Sequence, residues 1–395
     1  MVPDDPIVIC GAARTPIGGF QGDFKDLTAP QLGAIAIRAA VERAGLGPDA
    51  IDEVLFGCVL PAGVGQAPAR QASMGAGLKP STGATTVNKV CGSGMKAAML
   101  AHDLLVAGSA RVAVAGGMES MTNAPYLLDR ARAGYRLGHQ RALDHMFLDG
   151  LEDAYDKGRL MGTFAEKCAS MYSFTRAEQD AYSLESLKRA QKAGSDGSFA
   201  AETVPVIVKE RGVERVVSQD EQPLKARPEK IPLLKPAFDE NGTVTAGNSS
   251  SISDGAAALV LMRRTEAERR GIAPKAVIVG HATYSQEPSL FTTAPIGAIR
   301  RLLARTGWTI DEVDLFEINE AFAVVAMAAM RDLGLPHAKV NVHGGACALG
   351  HPIGASGARL IVTLLAALEK YGLRRGIASL CIGGGEAVAM AVERV

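Results

Sequence analysis

Apolar and polar positions follow two rhythms along this chain, and the same succession of rhythms occurs twice. In AIAIRAAVERAGLGPDAIDEVLFGCV (34–59) apolar residues recur three and four apart, stop at Gly45, and give way to a polar turn and an apolar run. That pattern predicts an amphipathic helix, a glycine terminator and a buried strand. GAIRRLLARTGWTIDEVDLFEINEA (297–321) repeats it, with Gly307 as terminator and the same IDEV turn. Each copy then continues into a glycine-rich turn, a helix and a strand that ends in glycines: CGSGMKAAMLAHDLLVAGSARVAVAGGM (91–118) and GASGARLIVTLLAALEKYGLRRGIASLCIGGG (354–385). The copies even open alike, as PIVICGAARTP and KAVIVGHATYS. An internal duplication of an α/β unit is the reading, with a period far too long for a solenoid. Strands alternating with helices predict mainly parallel sheets covered on both faces.

Residues from about 122 to 250 have no counterpart in the second copy. YLLDRARAGYRLGHQRALDHM is polar and arginine-rich, and QPLKARPEKIPLLKPAF is proline-studded and basic, so the segment reads as an insertion. Within it TRAEQDAYSLESLKRAQKA (175–193) predicts a capped helix, with Thr175 as N-cap and Glu178 completing a capping box.

The chain of 395 residues has length for two or three domains and a sizeable core. Its 42 basic residues balance 42 acidic ones, which argues against nucleic acid or an anionic membrane surface as partner. Cysteines 10, 58, 91, 168, 347 and 381 show neither zinc-ligand spacing nor the density of a disulfide scaffold, so no metal and a reducing compartment are expected. MVPDDPIVICGAARTPIGGF lacks a basic leader followed by an apolar core. The longest apolar runs, 321–330 and 360–368, fall short of the roughly 18 to 20 residues that span a bilayer. A cytoplasmic location is expected.

Ligands of such duplicated folds bind at the carboxyl ends of parallel strands, which singles out four glycine-bounded turns. In NKVCGSGMKAA, Cys91 precedes a helix whose free amides favour a thiolate, Gly92 and Gly94 let backbone approach a ligand, and Val90 is expected to anchor the strand. In NVHGGACALGHPIGASGARL, His351 sits in a rigid loop at another helix start; LCIGGGEA puts Cys381 at a strand end before amides suited to an oxyanion; FEINEAFA sets Asn319 and Glu320 in an apolar junction. Each alone has a structural alternative: a cysteine packs as a small hydrophobe, a histidine satisfies a core, and glycines make turns.

VCGSGMKA, GGMESM, NEAFA, GHPIGASG and CIGGG occur in that order, and end to end the chain resembles the thiolases, those of the acetyl-CoA acetyltransferase type in particular. The resemblance implies two thiolase-fold halves in a five-layered αβαβα core, formed by residues 1–121 with 252–273 and by 274–395. It also implies a loop domain, 122–251, that binds coenzyme A and assembles a homotetramer. Carried over by position, it makes Cys91 the acyl-accepting nucleophile, His351 its activating base and Cys381 the second catalytic cysteine. By the same carry-over Asn319 would hold a water in one oxyanion hole with His351, the amides of Gly383 and Cys91 would form the other, and Ser250 would contact the pantetheine arm. Two acetyl-CoA would condense to acetoacetyl-CoA and CoA through an acetyl-cysteine, or the reverse, with acyl-CoA thioesters as substrates and no further cofactor. The sulfurs of Cys91 and Cys381 should then meet across one cavity beside the imidazole.

The resemblance leaves alternatives open. One is a 3-ketoacyl-CoA thiolase of longer chain specificity, as in fatty acid β-oxidation. A ketosynthase would need histidines where Asn319 and Cys381 stand, and a non-catalytic thiolase-like lipid-binding protein would be expected to have lost a catalytic cysteine or the GHP histidine. His343, Cys347, Glu386 and Leu160 depart from the usual pattern, which leaves the pocket's shape and the acyl-chain preference open. Lys225 and Arg227 read first as a solvated charged face, with the nucleotide phosphates as the alternative.

Overall fold

The computed structural model describes residues 5–210 and 212–395. The first four residues, part of the stretch on which the leader was judged absent and of the expected first domain, lie outside them. The first half comprises β1 (Ile7–Arg14), α1 (Ala29–Arg43), β2 (Glu53–Gly57), α2 (Pro68–Gly75), β3 (Gly83–Val87), α3 (Ser93–Ala107) and β4 (Val112–Ser120). The chain then leaves the sheet to form α4 (Met161–Tyr172), α5 (Arg176–Ser195) and the hairpin β5 (Val206–Glu210) to β6 (Val213–Val217), and returns as β7 (Ser253–Arg263). The second half repeats the theme with β8 (Ala276–Ser285), α6 (Ala294–Thr306), β9 (Leu315–Ile318), α7 (Ala323–Leu333), α8 (Ser356–Lys370), β10 (Arg375–Ile382) and β11 (Glu386–Arg394).

Strand order makes the duplication physical. Outward from the centre, one half runs β1-β7-β4-β2-β3 and the other β8-β11-β10-β9. An isolated parallel bridge from Phe316 to Val340 stands where a fifth strand would complete the second half. The halves join where β1 pairs with β8 through Val8↔Val277 and Ile9↔Ala276. Both predicted glycine terminators sit in left-handed conformations, Gly45 at φ +68° and Gly307 at φ +73°. The expected box at Thr175 is present: Thr175 Oγ1 accepts from the Glu178 amide, and the Glu178 carboxylate accepts from the Thr175 amide.

The expectation of mainly parallel sheets is corrected. Only β2–β3, β2–β4 and β9–β10 are parallel; β1–β7, β7–β4, β1–β8, β8–β11 and β10–β11 are antiparallel. The reason is local at β10–β11: three glycines, two of them at positive φ, reverse the chain in a hairpin too short for a parallel crossover.

The five layers follow from two-sided strands. Ile7 and Ile9 face the core that holds α3 and α8, whereas Val8 and Cys10 face the outer core under α1 and α2. On β10, Leu380 and Ile382 point to the central helices and Ile377 and Cys381 to the opposite core under α6 and α7. The two central helices nearly touch backbone to backbone. A Cβ at Gly94 would lie 2.9 Å from the Ala358 amide nitrogen, and one at Gly357 would lie 2.4 Å from that of Met95. Only glycine fits at that approach, and it brings the starts of α3 and α8 to one place. Among the described residues, no helix is long and apolar enough to cross a membrane.

Candidate active site

Cys91 lies in the turn between β3 and α3, whose N-cap is Gly92. The turn is tied by its own side chains. The Lys89 amide donates to Ser93 Oγ at 2.8 Å, Ser93 Oγ donates to the Val90 carbonyl at 2.7 Å, and the Val90 amide donates to Asn88 Oδ1 at 3.0 Å. Contrary to the expectation from sequence, Val90 does not anchor a strand. It follows the end of β3 and sits at φ +46°, a left-handed conformation that costs a β-branched residue about 1 to 3 kcal/mol. That strain is held by the bonds on either side and presents the next residue, the cysteine, to the cavity.

The Gly383 amide and Cys91's own amide both donate to the Cys91 sulfur. The two turns also meet directly: a Cβ at Gly92 would lie 2.4 Å from Ile382 Cδ1, one residue after Cys381. Cys91 opens onto the cavity but is surrounded by protein, and burial pushes its thiol up to about 11 against the pull of the two amides. This corrects the expected thiolate, because desolvation outweighs the helix terminus.

His351 is buried on the loop that starts α8. Its Nδ1 lies 2.6 Å from Ser356 Oγ, whose hydroxyl donates to the Pro352 carbonyl at 2.9 Å. Nδ1 therefore carries the proton, and Nε2 is left with a lone pair. Burial, with Arg359 adding to it, holds the imidazole down to about 3. The resting pair is thus neutral thiol and neutral imidazole. Asn319 Nδ2 lies 3.5 Å from His351 Nε2, while its Oδ1 faces Arg359 Nη2 at 3.5 Å. Arg359 is itself fixed by a buried pair with Glu317 at 3.2 Å.

Four of the six predicted residues, Cys91, His351, Gly383 and Ser250, line one cavity of about 360 Å³. Asn319 stands behind His351, in contact with its ring. Cys381, expected to meet Cys91 across this cavity, does not line it: it is fully buried behind the Cys91 turn, close enough that charge on Cys91 raises its thiol further, burial being the larger cause. Ser250 Oγ donates to the Ala321 carbonyl at 3.0 Å. Phe147, Leu160, Met161 and Phe238 of the inserted segment supply an apolar wall to the cavity that Cys91 lines. Three other clefts of about 500 to 530 Å³ are larger, but Cys91 and His351 line none of them.

Of the residues that depart from the family pattern, only Leu160 reaches this cavity. His343 lines a separate cleft against α5, where burial pushes it down to about 4. Cys347 lies beneath Glu320, its amide donating to Oε2 at 3.1 Å, and Glu386 is ion-paired with Lys89. These three do not line the cavity. Lys225 is paired with Glu221; with Arg227 and Lys230 it lines a cleft of about 320 Å³ that shares Ala246, Ser249 and Ser251 with the cavity.

Glu119, within the quoted GGMESM, had been given no role. Fully buried, it accepts from the amides of Val59, Leu60 and Gly354 at 3.0, 3.1 and 2.9 Å, clamping the His351 loop to the first half. A lone carboxylate in an apolar, glycine-rich strand end was the available signal. Arg359 and Ser356 were missed for a different reason, since nothing in a helix pattern marks which turn faces a histidine.

Comparison with known proteins agrees along the whole length. A family model described as thiolase, N-terminal domain, matches residues 7–265, and one described as thiolase, C-terminal domain, matches 272–394. An acetyl-CoA acetyltransferase of Chromobacterium violaceum is 47% identical over 98% of this chain and 99% of its own. Acetyl-CoA acetyltransferase 2 of Arabidopsis thaliana is 50% identical over 98% and 96%. The crystal structure of the Bacillus anthracis acetyl-CoA acetyltransferase superposes with a TM-score of 0.96 at 41% identity, covering 99% of both chains.

Proposed function

This chain belongs to the thiolase family, and from that premise we propose that it is an acetyl-CoA C-acetyltransferase, condensing two acetyl-CoA to acetoacetyl-CoA and CoA and running the reverse thiolysis. The observation that carries the mechanism is the pairing of a cavity-facing Cys91 sulfur under two amides with a His351 whose Nε2 is free of a proton. A neutral thiol is a weak nucleophile, so the proton leaves as attack proceeds: Cys91 Sγ bonds to the thioester carbon, His351 Nε2 takes the thiol proton, and the amides of Cys91 and Gly383 receive the carbonyl oxygen as it becomes an oxyanion. Collapse expels CoA thiolate, which takes the proton of the neighbouring Cys381 thiol, so that His351 keeps the Cys91 proton on Nε2 and Cys381 becomes the base. The Cys381 thiolate then removes an α-proton from the second acetyl-CoA. Its enolate oxygen is held by the Nε2–H of His351 and by water on Asn319, the carbanion carbon attacks the acyl-enzyme, and the departing Cys91 sulfur takes its proton back from His351. Reading Cys381 as the base fits its nearness to Cys91; its full burial requires that the second substrate reach it past the Cys91 turn.

Ser250 is read as the contact for the pantetheine arm and the Arg227–Lys230 cleft as the seat of the nucleotide phosphates, supported by the residues that this cleft shares with the cavity. The division into 1–121 with 252–273, 122–251 and 274–395 belongs to the same reading. So do catalysis with no cofactor beyond the CoA substrates, a cytoplasmic location, supported by six free thiols, and a homotetramer. β3 ends the sheet, so one of its edges has no strand partner among the described residues.

Incubation with acetyl-CoA followed by digestion and mass spectrometry is the test. One acetyl group on the Cys91 peptide is expected, and a folded enzyme that forms no adduct there overturns the acyl-enzyme. A longer-acyl reading is favoured by one feature, the apolar wall of Phe147, Leu160, Met161 and Phe238. Thiolysis measured across 3-ketoacyl-CoA lengths separates the two: a rate that peaks at acetoacetyl-CoA supports the acetyl assignment, and one that rises with length replaces it.

A further inference from the structure

The central helix α3 carries Cys91 at its beginning and, three turns on, a second group of polar side chains that the acyl chemistry does not use. His102 and Asp103 are consecutive on α3, and His281 comes from β8 in the other half of the molecule. Asp103 Oδ1 lies 3.0 Å from His102 Nδ1 and 3.0 Å from His281 Nε2. The two rings stand edge to face at 85°, with centroids 5.0 Å apart, and the three ligating atoms all lie within 4.8 Å of one another. His281 is buried, His102 half-buried, and the Asp103 side chain is 56% exposed, so the group is walled on one side and open to water on the other.

We propose that His102, Asp103 and His281 form a binding site for a borderline divalent cation of the zinc type, which ties α3 of the first half to β8 of the second. Two imidazoles and one carboxylate are the donor set that zinc accepts, and the exposed side leaves a position for water. Ligands at bond lengths of about 2.0 to 2.2 Å from one ion are separated by roughly 3 Å or slightly more, as both nitrogens already are from Oδ1. The carboxylate is the hub, so the ion enters where the two N–H···O contacts now lie. Each neutral imidazole gives its lone pair at Nδ1 or Nε2 to the metal and carries its proton on the other ring nitrogen. No redox change and no net proton release accompany that exchange. Arg305, whose Nη1 donates to the His281 carbonyl at 3.2 Å, is the cation that opposes the ion, and Asp103 is the anion that offsets it. The site draws its ligands from both copies of the duplication, so occupancy braces the seam between them and stabilises the folded chain by mass action.

Cobalt(II) titrated into the whole enzyme and followed by its visible spectrum tests this directly. The expected result is one ion per chain, weak d–d bands without the intense charge transfer of a cobalt–thiolate bond, displacement by zinc, and a raised melting temperature. Asp103→Asn, on an exposed side chain that leaves acetyl transfer unchanged, is expected to weaken binding by at least about tenfold, and His102→Ala to do the same should His281→Ala fail to fold. Absence of saturable binding, a thiolate spectrum, or affinity unchanged in Asp103→Asn overturns the proposal.

Discussion

The two halves solve the same connection in opposite ways. Between β4 and β7 the first half inserts a long segment, whose α4 and flanking loops wall the cavity lined by Cys91 and His351. Between β10 and β11, the equivalent strands of the second half, the chain turns back on three glycines, one of which offers its amide to Cys91. One copy of the connection became the roof of the site and the other an electrophilic donor within it. The turns at the starts of α3 and α8 diverged likewise. The first holds a strained Val90 and a sulfur open to the cavity, and the second a buried histidine whose tautomer is set by Ser356. Duplication supplied two equivalent helix starts, and the Gly94–Gly357 approach placed them together.

Removing the proposed nucleophile from one half should have the largest effect. Cys91→Ser is expected to lower acetyl transfer by about 10⁴-fold or more while leaving the fold intact, as steady-state rates and circular dichroism will show. Loss of the base in the other half comes next. His351→Ala should cost about 10² to 10⁴-fold in kcat, since proton transfer is lost but the amide donors remain; a smaller loss would mean that the proton leaves Cys91 by another route. The helix approach that joins the halves can be broken structurally. Gly357→Ala drives a Cβ into the Met95 backbone and is expected to destabilise by about 1 to 3 kcal/mol in denaturant unfolding, with Gly94→Ala, whose clash is milder, costing less.

The smallest effect concerns the clamp between the halves. Burial holds Glu119 up at about 7, against the three amides that lower it, so its carboxyl is raised above the ordinary 4.5. Its contribution to stability is therefore fully present below about 4.5 and lost as pH rises through about 7. Unfolding midpoints measured across that window should fall with pH more steeply in the wild type than in Glu119→Gln, and parallel profiles would show that the carboxylate stays ionised throughout.

Much of this was legible in the chain because the signals are local. The repeated helix, terminator and strand announced the duplication, Thr175 and Glu178 marked a helix start, and four glycine-bounded turns held the reactive residues. Strand direction was not legible, because the pairing of β7 or β11 with its neighbours depends on partners far away in sequence. Nor was the fate of His343 and Cys347, which stand close to His351 in the chain but face other clefts.

The sequence by itself determined which residues are candidates for the chemistry and that two copies of one unit would present them, since residue type, spacing and helix or strand rhythm are properties of short stretches. Only the tertiary structure decided their charge state and company. Desolvation is set by everything packed around a group, so it is the assembled layers that keep Cys91 a thiol and His351 an imidazole. The same packing brings the Gly383 amide to a sulfur almost three hundred residues away.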